Sequence, residues 1–350
     1  MSRRTVSLLV AGLLLVVLCV VAWLRPVPYV AMRPGPVQDT LGEVGGEQIV
    51  AIDGRRTYPT RGQLDLTTVS VTAPTAALTL GDALAAWFDP HRALVPRDLY
   101  YPPEQSVQEA QRESAVAMTS SQDAAIVAAL EALGHDIPFS VQVRSVSDGA
   151  PAQGHLRVDD VITAVEGTPV EEAAEVSRLL QRVRPGDTAT FAVRRDGKAV
   201  QVQSPTTESE EEPGRTLVGI TIADDPQLPF DVSIELGERI GGPSAGLMFS
   251  LAIVDKLTPG ALTGGRHVAG TGTITLDGSV GPIGGIGQKL AGADEAGASV
   301  FLVPARNCPE ARQAESGDLT LVRVRTLDTA IDALEQLAND PEASVPTCGR

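Results

Sequence analysis

Lysine is scarce in this chain, standing at positions 198, 256 and 289 alone among 350 residues. No Gly-x-x-x-x-Gly-Lys-Ser/Thr occurs, so no loop of that kind cradles a nucleotide phosphate, and no ATPase motor is expected in the chain. Histidine is nearly as rare. His91, His135, His155 and His267 share no metal-ligand spacing, and neither a metal nor another cofactor is expected. Aromatic residues make up 3%, which leaves Ala, Val, Leu and Ile to fill the core. Basic charge is short too: 28 Lys and Arg against 44 Asp and Glu give a net charge of -16, which argues against nucleic-acid binding and against lying on anionic lipid. Of three cysteines, Cys19 lies in an apolar run. Cys308 and Cys348 remain, and in an oxidising compartment they either bridge the C-terminal tail to the domain or stay free; two cysteines alone do not decide.

Long apolar runs are also missing, with one exception. Val6 to Leu24 is nineteen residues without a charge, preceded by Arg3 and Arg4 and closed by Trp23, Arg25 and Pro26. That length spans a bilayer. Basic residues ahead of the span favour an inside N-terminus, so residues 1–25 are expected to form a cytoplasmic tip and a single-pass membrane helix, with the rest outside the cytoplasm. A cleaved signal peptide, with a weak site at Val20-Val21-Ala22, is the rival reading. A lipoprotein is disfavoured because Leu18 before Cys19 is bulky.

Chemistry concentrates at two loops. In Ile240-Gly241-Gly242-Pro243-Ser244-Ala245-Gly246 the serine opens a helix whose apolar residues Leu247, Met248, Leu251, Ala252 and Val254 recur at three- and four-residue spacing. There it meets unpaired backbone N–H groups able to stabilise an oxyanion, although a plain serine cap fits the heptapeptide equally well. Lys256 lies twelve residues further along that helix, roughly 18 Å away, and is expected to be a solvated helix-end charge. Lys198 follows an Asp196-Gly197 turn between two alternating stretches and is expected on an exposed hairpin. Lys289 follows the glycine-rich run Gly278 to Gln288 and opens a small-residue helix ending at Gly297. The helix dipole and apolar neighbours both lower an amine's pKa in that position, and only a neutral amine takes a serine proton at neutral pH. A lysine snorkelling from a helix start is the bland alternative.

Taken in order, Gly242-Pro243-Ser244-Ala245-Gly246, then Ala269-Gly270-Thr271-Gly272-Thr273-Ile274, then Gly278 to Gly285 with Lys289, and finally Ala296-Gly297-Ala298 and Phe301 to Asn307, resemble the proteolytic domain of Lon-type serine peptidases over some ninety residues. The resemblance implies Ser244 as nucleophile, Lys289 as general base, Thr271 as a hydroxyl orienting the lysine, and backbone groups around Gly242, Ser244 and Ala245 as an oxyanion hole. It also suggests a hexameric ring. Thr273 stands where Lon enzymes commonly carry an acidic residue, and Gly241 where an aspartate is frequent, so substrate positioning is expected to differ.

A second unit resembles a bacterial PDZ domain. Val141 to Val146 alternates as a strand, Ala150-Pro151-Ala152 and Leu156 follow, then come Asp159 to Val170, a helical stretch from Glu171 to Gln181 and a strand from Ala189 to Val193. Val158-Asp159-Asp160 replaces the usual glycine-containing step. Such domains capture an extended peptide as an added strand, often by its terminus; a packing module without a ligand is the alternative. Leu64 to Val71 reads as a strand, Ser106 to Leu133 as an Ala-rich helix and Val232 to Ile234 as a strand, so the PDZ unit is expected to be inserted in the peptidase domain. Arg33-Pro34-Gly35-Pro36 reads as a turn. The expected organisation is 26–134 for the first part of an α/β (α+β) peptidase domain, 135–205 for a mainly-β PDZ domain, 206–214 for a glutamate-rich linker, 215–340 for the catalytic domain and 341–350 for a tail.

The expected function is a membrane-anchored, ATP-independent serine endopeptidase that cleaves unfolded or extended polypeptides outside the cytoplasm. Two alternatives remain: a non-catalytic anchored PDZ scaffold, and a small-molecule kinase whose glycine-serine loop holds nucleotide phosphate. A triad through His267 is a minor variant. The natural substrate is not legible.

Overall fold

The N-terminal apolar run forms the helix Arg3–Trp23, whose most apolar 18-residue stretch has a mean hydropathy of 2.9, with no residue buried in the protein. At about 1.5 Å per residue it is roughly 30 Å long, the thickness of a bilayer's hydrocarbon core. By length and composition it is a candidate membrane span or signal sequence. The computed structural model describes residues 3–102, 105–209, 212–237 and 240–349, and these divide into one unit made of 1–135 with 230–350 and another made of 136–229.

The first unit is built on a mixed sheet in the order Thr320–Val324, Val300–Pro304, His267–Gly270, Gln63–Val71, Tyr29–Asp39, Ala93–Pro96. The first four strands run parallel and the last two pair antiparallel. Val300–Pro304 is buried at every residue, which explains its unbroken apolar sequence. The helix Gly246–Leu257 is buried along nearly its whole length and packs against Val107–Ala132 and Leu327–Asn339, while Ile286–Glu295 packs on Tyr29–Asp39 and Gln63–Val71. Ser106 caps the long helix in a capping box with Glu109, where Ser106 Oγ accepts from the Glu109 N–H and the Ser106 N–H donates to the Glu109 carboxylate.

Arg33-Pro34-Gly35-Pro36 is not a turn. It lies inside the strand Tyr29–Asp39, where the pairing with Gln63–Val71 slips between Pro34 and Val37. A bulge accommodates the two missing proline N–H groups, and Thr68 Oγ1 donates to the Pro36 carbonyl across it.

Lys256 is not solvated either. It is 6% exposed and donates to Gln48 Oε1 and the Val50 carbonyl, because the segment leading into strand Val50–Asp53 covers the helix end. Burial lowers its pKa, with Asp39 and Glu43 opposing. Lys198 is exposed, following Asp196 and Gly197, both at positive φ.

The second unit has the sheet order Lys198–Pro205, Thr188–Arg195, Val161–Val165, Phe139–Val146, Ile220–Pro226, with the helix Ala173–Leu180 closing a core around Phe191, Val141, Val143, Ile162, Val176 and Val202. The expected boundary at 205 and the linker 206–214 differ from this arrangement. Thr207–Glu208 pairs with Thr216–Leu217, and Ile220–Pro226 pairs with Phe139–Val146, so the unit runs to 229. Ile220-Thr221-Ile222 has the period-2 pattern of a half-buried strand, which the acidic stretch before it obscured. Glu210 and Glu211 of that stretch lie outside the described residues. Asp159 takes φ 70 where a glycine is usual, a conformation that Asp tolerates better than most residues. Asp160 is 1% exposed and meets Arg195 in a two-pronged ion pair at 2.7 and 2.6 Å.

Cys308 and Cys348 are joined by a disulfide across 40 positions. The tail it holds also bonds to the sheet edge, with the Arg323 N–H donating to Pro346 O and the Cys348 N–H to Leu321 O. In the chain-entropy picture a loop of that length contributes about 4 kcal/mol. Reduction, or the double change to Ser, is therefore expected to lower the urea midpoint of unfolding clearly. An equal midpoint in oxidised and reduced protein would show that the bridge adds nothing.

Candidate active site

The loop before helix Gly246–Leu257 is held from two sides. From the long helix, the Ser114 carbonyl accepts from the Gly242 N–H at 3.1 Å and Ser121 Oγ donates to the Pro243 carbonyl at 2.9 Å. From the sheet side, the Gly272 N–H and Thr271 Oγ1 both donate to the Ser244 carbonyl at 2.9 Å. Gly242 has φ 84, which only glycine adopts without strain. A Cβ on Gly246 would come within 2.7 Å of both Ile274 Cγ2 and Ser121 Oγ, so the close approach of helix, loop and strand requires a glycine there. Pro243 fixes the turn, and Ser244 is left half-buried directly before the helix. Ala245 is the N-cap residue, its carbonyl accepting from Met248 and Phe249. Among the described residues the N–H groups of Ser244, Ala245 and Gly246 meet no acceptor, as expected at a helix start.

Lys289 reaches this loop from a different element. It sits in the first turn of Ile286–Glu295, whose N-cap is Gly285, so the helix starts three residues before Lys289. Its side chain is part of a residue only 3% exposed. Nζ donates to Ser244 Oγ at 2.8 Å and to Thr271 Oγ1 at 2.8 Å. Thr271 is fully buried and its hydroxyl donates a hydrogen bond to the Ser244 carbonyl, so its oxygen presents a lone pair to the amine. Among the described residues no carboxylate offsets the burial, and loss of water pulls the amine's pKa from 10.5 to about 7. That difference corresponds to a penalty on the ammonium form on the order of 5 kcal/mol.

Parallel register creates the meeting. Gly270 pairs with Leu302 on one side and Leu66 on the other, so Thr271 emerges at the end of the sheet where the Ser244 loop lies. Thr67 Oγ1 donates to the Gly270 carbonyl and pins that end. His267 is at the other end of the same short strand, about 13 Å from Thr271 at the usual rise. It bonds to Asp65 Oδ2 at 2.5 Å instead and takes no part in the site. His91 lies near the exposed Glu295 and Glu315. No group of His, Cys, Asp or Glu suited to a metal occurs among the described residues.

Sequence reasoning missed two contributors. Ser114 and Ser121 are distant in sequence from Ser244 and sit in a helix that reads as ordinary Ala-rich packing; a serine on the buried face of such a helix was the available signal. Ile220–Pro226 was missed as the edge strand of the second unit, flanked by the helix Ala173–Leu180, whose Ala173 N–H donates to Asp224 Oδ1 at 2.6 Å.

Residues 111–205 match the family model of the PDZ domain, and residues 239–336 match that of the Lon protease (S16) C-terminal proteolytic domain. The PDZ match starts inside the helix Val107–Ala132 and stops short of Ile220–Pro226, so its limits differ from those of the compact unit 136–229. The chain is 43% identical over 72 residues to the Lon protease of Roseiflexus castenholzii, covering 21% of this chain and 9% of that protein. To the Lon protease of Phenylobacterium zucineum it is 28% identical over 183 residues, 51% of this chain and 22% of that protein. The PDZ domain of the SdrC-like protein of Listeria monocytogenes is 28% identical, covering 23% of this chain and 85% of its own, with a TM-score of 0.22. The chain spans between 9% and 22% of the length of the first curated relatives it matches. With two family matches in sequence order and the Ser244 and Lys289 side chains in contact, the chain combines a PDZ domain with a Lon-type proteolytic domain.

Proposed function

We propose that the protein is an ATP-independent serine endopeptidase that cleaves extended polypeptides outside the cytoplasm, anchored by Arg3–Trp23. The observation that carries this reading is the 2.8 Å contact between a desolvated amine and a half-buried serine hydroxyl. Neutral Lys289 Nζ takes the proton of Ser244 Oγ as the oxygen forms a bond to the peptide carbonyl carbon. The N–H groups at the helix start receive the oxyanion. Collapse breaks the C–N bond, and the lysine ammonium returns its proton to the leaving amine. Water then repeats the sequence on the acyl-enzyme with the same base. Thr271 accepts an N–H bond from the amine and so aims its lone pair at Ser244; Gly242 and Ala245 shape the oxyanion site. This chemistry draws on no cofactor.

Peptide recruitment falls to the PDZ domain, where among the described residues Ile220–Pro226 pairs with a strand on one side only and offers its other edge beside Ala173–Leu180. A homo-oligomer, a hexamer by resemblance, is part of the proposal. A scaffold role, or a phosphate-holding role for the loop, leaves the buried amine without a task.

Incubation of the full chain in detergent with an unfolded protein and no nucleotide, beside Ser244→Ala, tests the proposal: cleavage by the native chain alone supports it, and equal cleavage by both defeats it. The rate constant should fall tenfold per pH unit below about 7, because the amine titrates there and only its neutral form is the base. Lys289→Met should be inactive yet more stable. A lysine whose folded pKa is depressed binds fewer protons in the native state, so its penalty is fully present below about 7 and fades as pH rises towards 10.5. The variant's gain in unfolding midpoint should thus be largest in acid; an inactive variant that is less stable at pH 6 would point to misfolding instead. Ser121→Ala removes one bond to the Pro243 carbonyl. It should lower kcat about tenfold, the worth of one hydrogen bond of roughly 1 kcal/mol or slightly more, with KM and the pH midpoint unchanged. A rise in KM alone would exclude a positioning role for that hydroxyl.

A further inference from the structure

Outside the apolar helix, the exposed large hydrophobic side chains among the described residues are unevenly placed. Tyr29, Leu84, Trp87, Phe88, Leu99 and Tyr100 lie in three short segments, with Trp87 74%, Phe88 81% and Leu99 77% exposed; the remaining few are scattered. In a chain with only two tryptophans, Trp23 closes the apolar helix and Trp87 belongs to this group.

All three segments are fastened to the point where the helix ends. The Leu80 N–H donates to the Arg25 carbonyl at 2.8 Å, two residues past Trp23, and Pro26–Val27 pairs with Leu78–Thr79. The Trp23 indole lies on Gly81, where a Cβ would come within 2.2 Å of Nε1. The Arg97 N–H donates to the Pro28 carbonyl at 3.0 Å, and Tyr29 pairs with Pro96. The helix Leu80–Trp87 therefore starts at the end of the span, and Trp87 is about 10 Å further on.

We propose that this aromatic and aliphatic face beds into the interfacial layer of the bilayer that Arg3–Trp23 crosses. The proposal rests on the reading of that helix as a retained span. Indole and phenyl groups favour the headgroup level, where an apolar body and a wet edge are both accommodated. The attachment is apolar and not electrostatic: Asp82, Asp89 and Asp98 balance Arg25, Arg92 and Arg97 nearby, and the chain's net charge of -16 supplies no basic excess. A domain hung from a single helix swivels about it. A second apolar contact a few residues away removes that freedom and holds the proteolytic domain at a set height above the membrane.

The test uses the full chain with Trp23→Phe, which leaves Trp87 as the sole tryptophan, reconstituted in phosphatidylcholine vesicles with or without shallowly brominated acyl chains. The protein should float with the vesicles, and bromine should quench Trp87 emission about twofold at low and high salt alike. Flotation with equal emission on both lipids overturns the membrane face and leaves the span intact; emission that changes instead with protein dilution assigns the face to a second copy of the chain. Loss of flotation refutes the retained span, and the proposal with it.

Discussion

A lysine buried away from water, with no counter-charge among the described residues, is the constraint around which the proteolytic domain is arranged. Burial brings Lys289 to about 7, and among the described residues no carboxylate partner restores its charge. Keeping the amine dry demands that every surrounding surface be filled by close packing. The helix Gly246–Leu257 is accordingly buried along almost its whole length, and the approach of its first turn to Ile274 and Ser121 leaves no room for a Cβ at Gly246. The fold accepts a charge penalty on the order of 5 kcal/mol in this one place, a large share of a typical domain's net stability.

The two hydroxyls and the amine come from three segments, each positioned by a separate device. A parallel strand ending at Gly270 delivers Thr271, a glycine turn propped by Val107–Ala132 delivers Ser244, and a helix start delivers Lys289. The same long helix also ties down the strand that follows the second unit, through Gln122 Nε2 to the Ile234 carbonyl at 3.2 Å. It thus braces both the serine loop and the strand Asp231–Ile234. This explains why a segment far upstream in sequence belongs to the proteolytic domain, even though the match to the Lon family begins only at residue 239.

Much of this was legible in the residue pattern because periodicity and glycine placement are local properties. The helix after Ser244, the hairpin at Asp196-Gly197, the Ala-rich helix from Ser106 and the apolar helix near the N-terminus all follow from spacing a few residues long. What failed depended on distant partners. Lys256 read as solvated because its helix ends there, but the cover over it comes from residues near Gln48 and Val50, some two hundred positions away. The prolines at 34 and 36 read as a turn because a strand bulge becomes visible only once Gln63–Val71 is alongside. Ile220–Pro226 read as part of the catalytic segment because its partner, Phe139–Val146, precedes it by some eighty residues. The contact of Ser244 with Lys289 lies in between: two loops suggested the pair, but parallel strand register is what brings them together.

On the proposed mechanism, in which Lys289 is the base, burial also sets when the chain can act. With a lysine pKa of 10.5 in the unfolded chain, only about 0.03% of the amines are neutral at pH 7, whereas about half are neutral in the folded site. Folding alone thus raises the population of the basic form by roughly a thousandfold, before any gain from placing it 2.8 Å from the serine. An incompletely packed chain, in which water reaches Lys289, returns to the charged amine and loses its base. The residues that exclude water from Lys289 therefore act on its chemistry without touching a substrate, and a cavity opened beside it should weaken the base even where Ser244 and Thr271 keep their places.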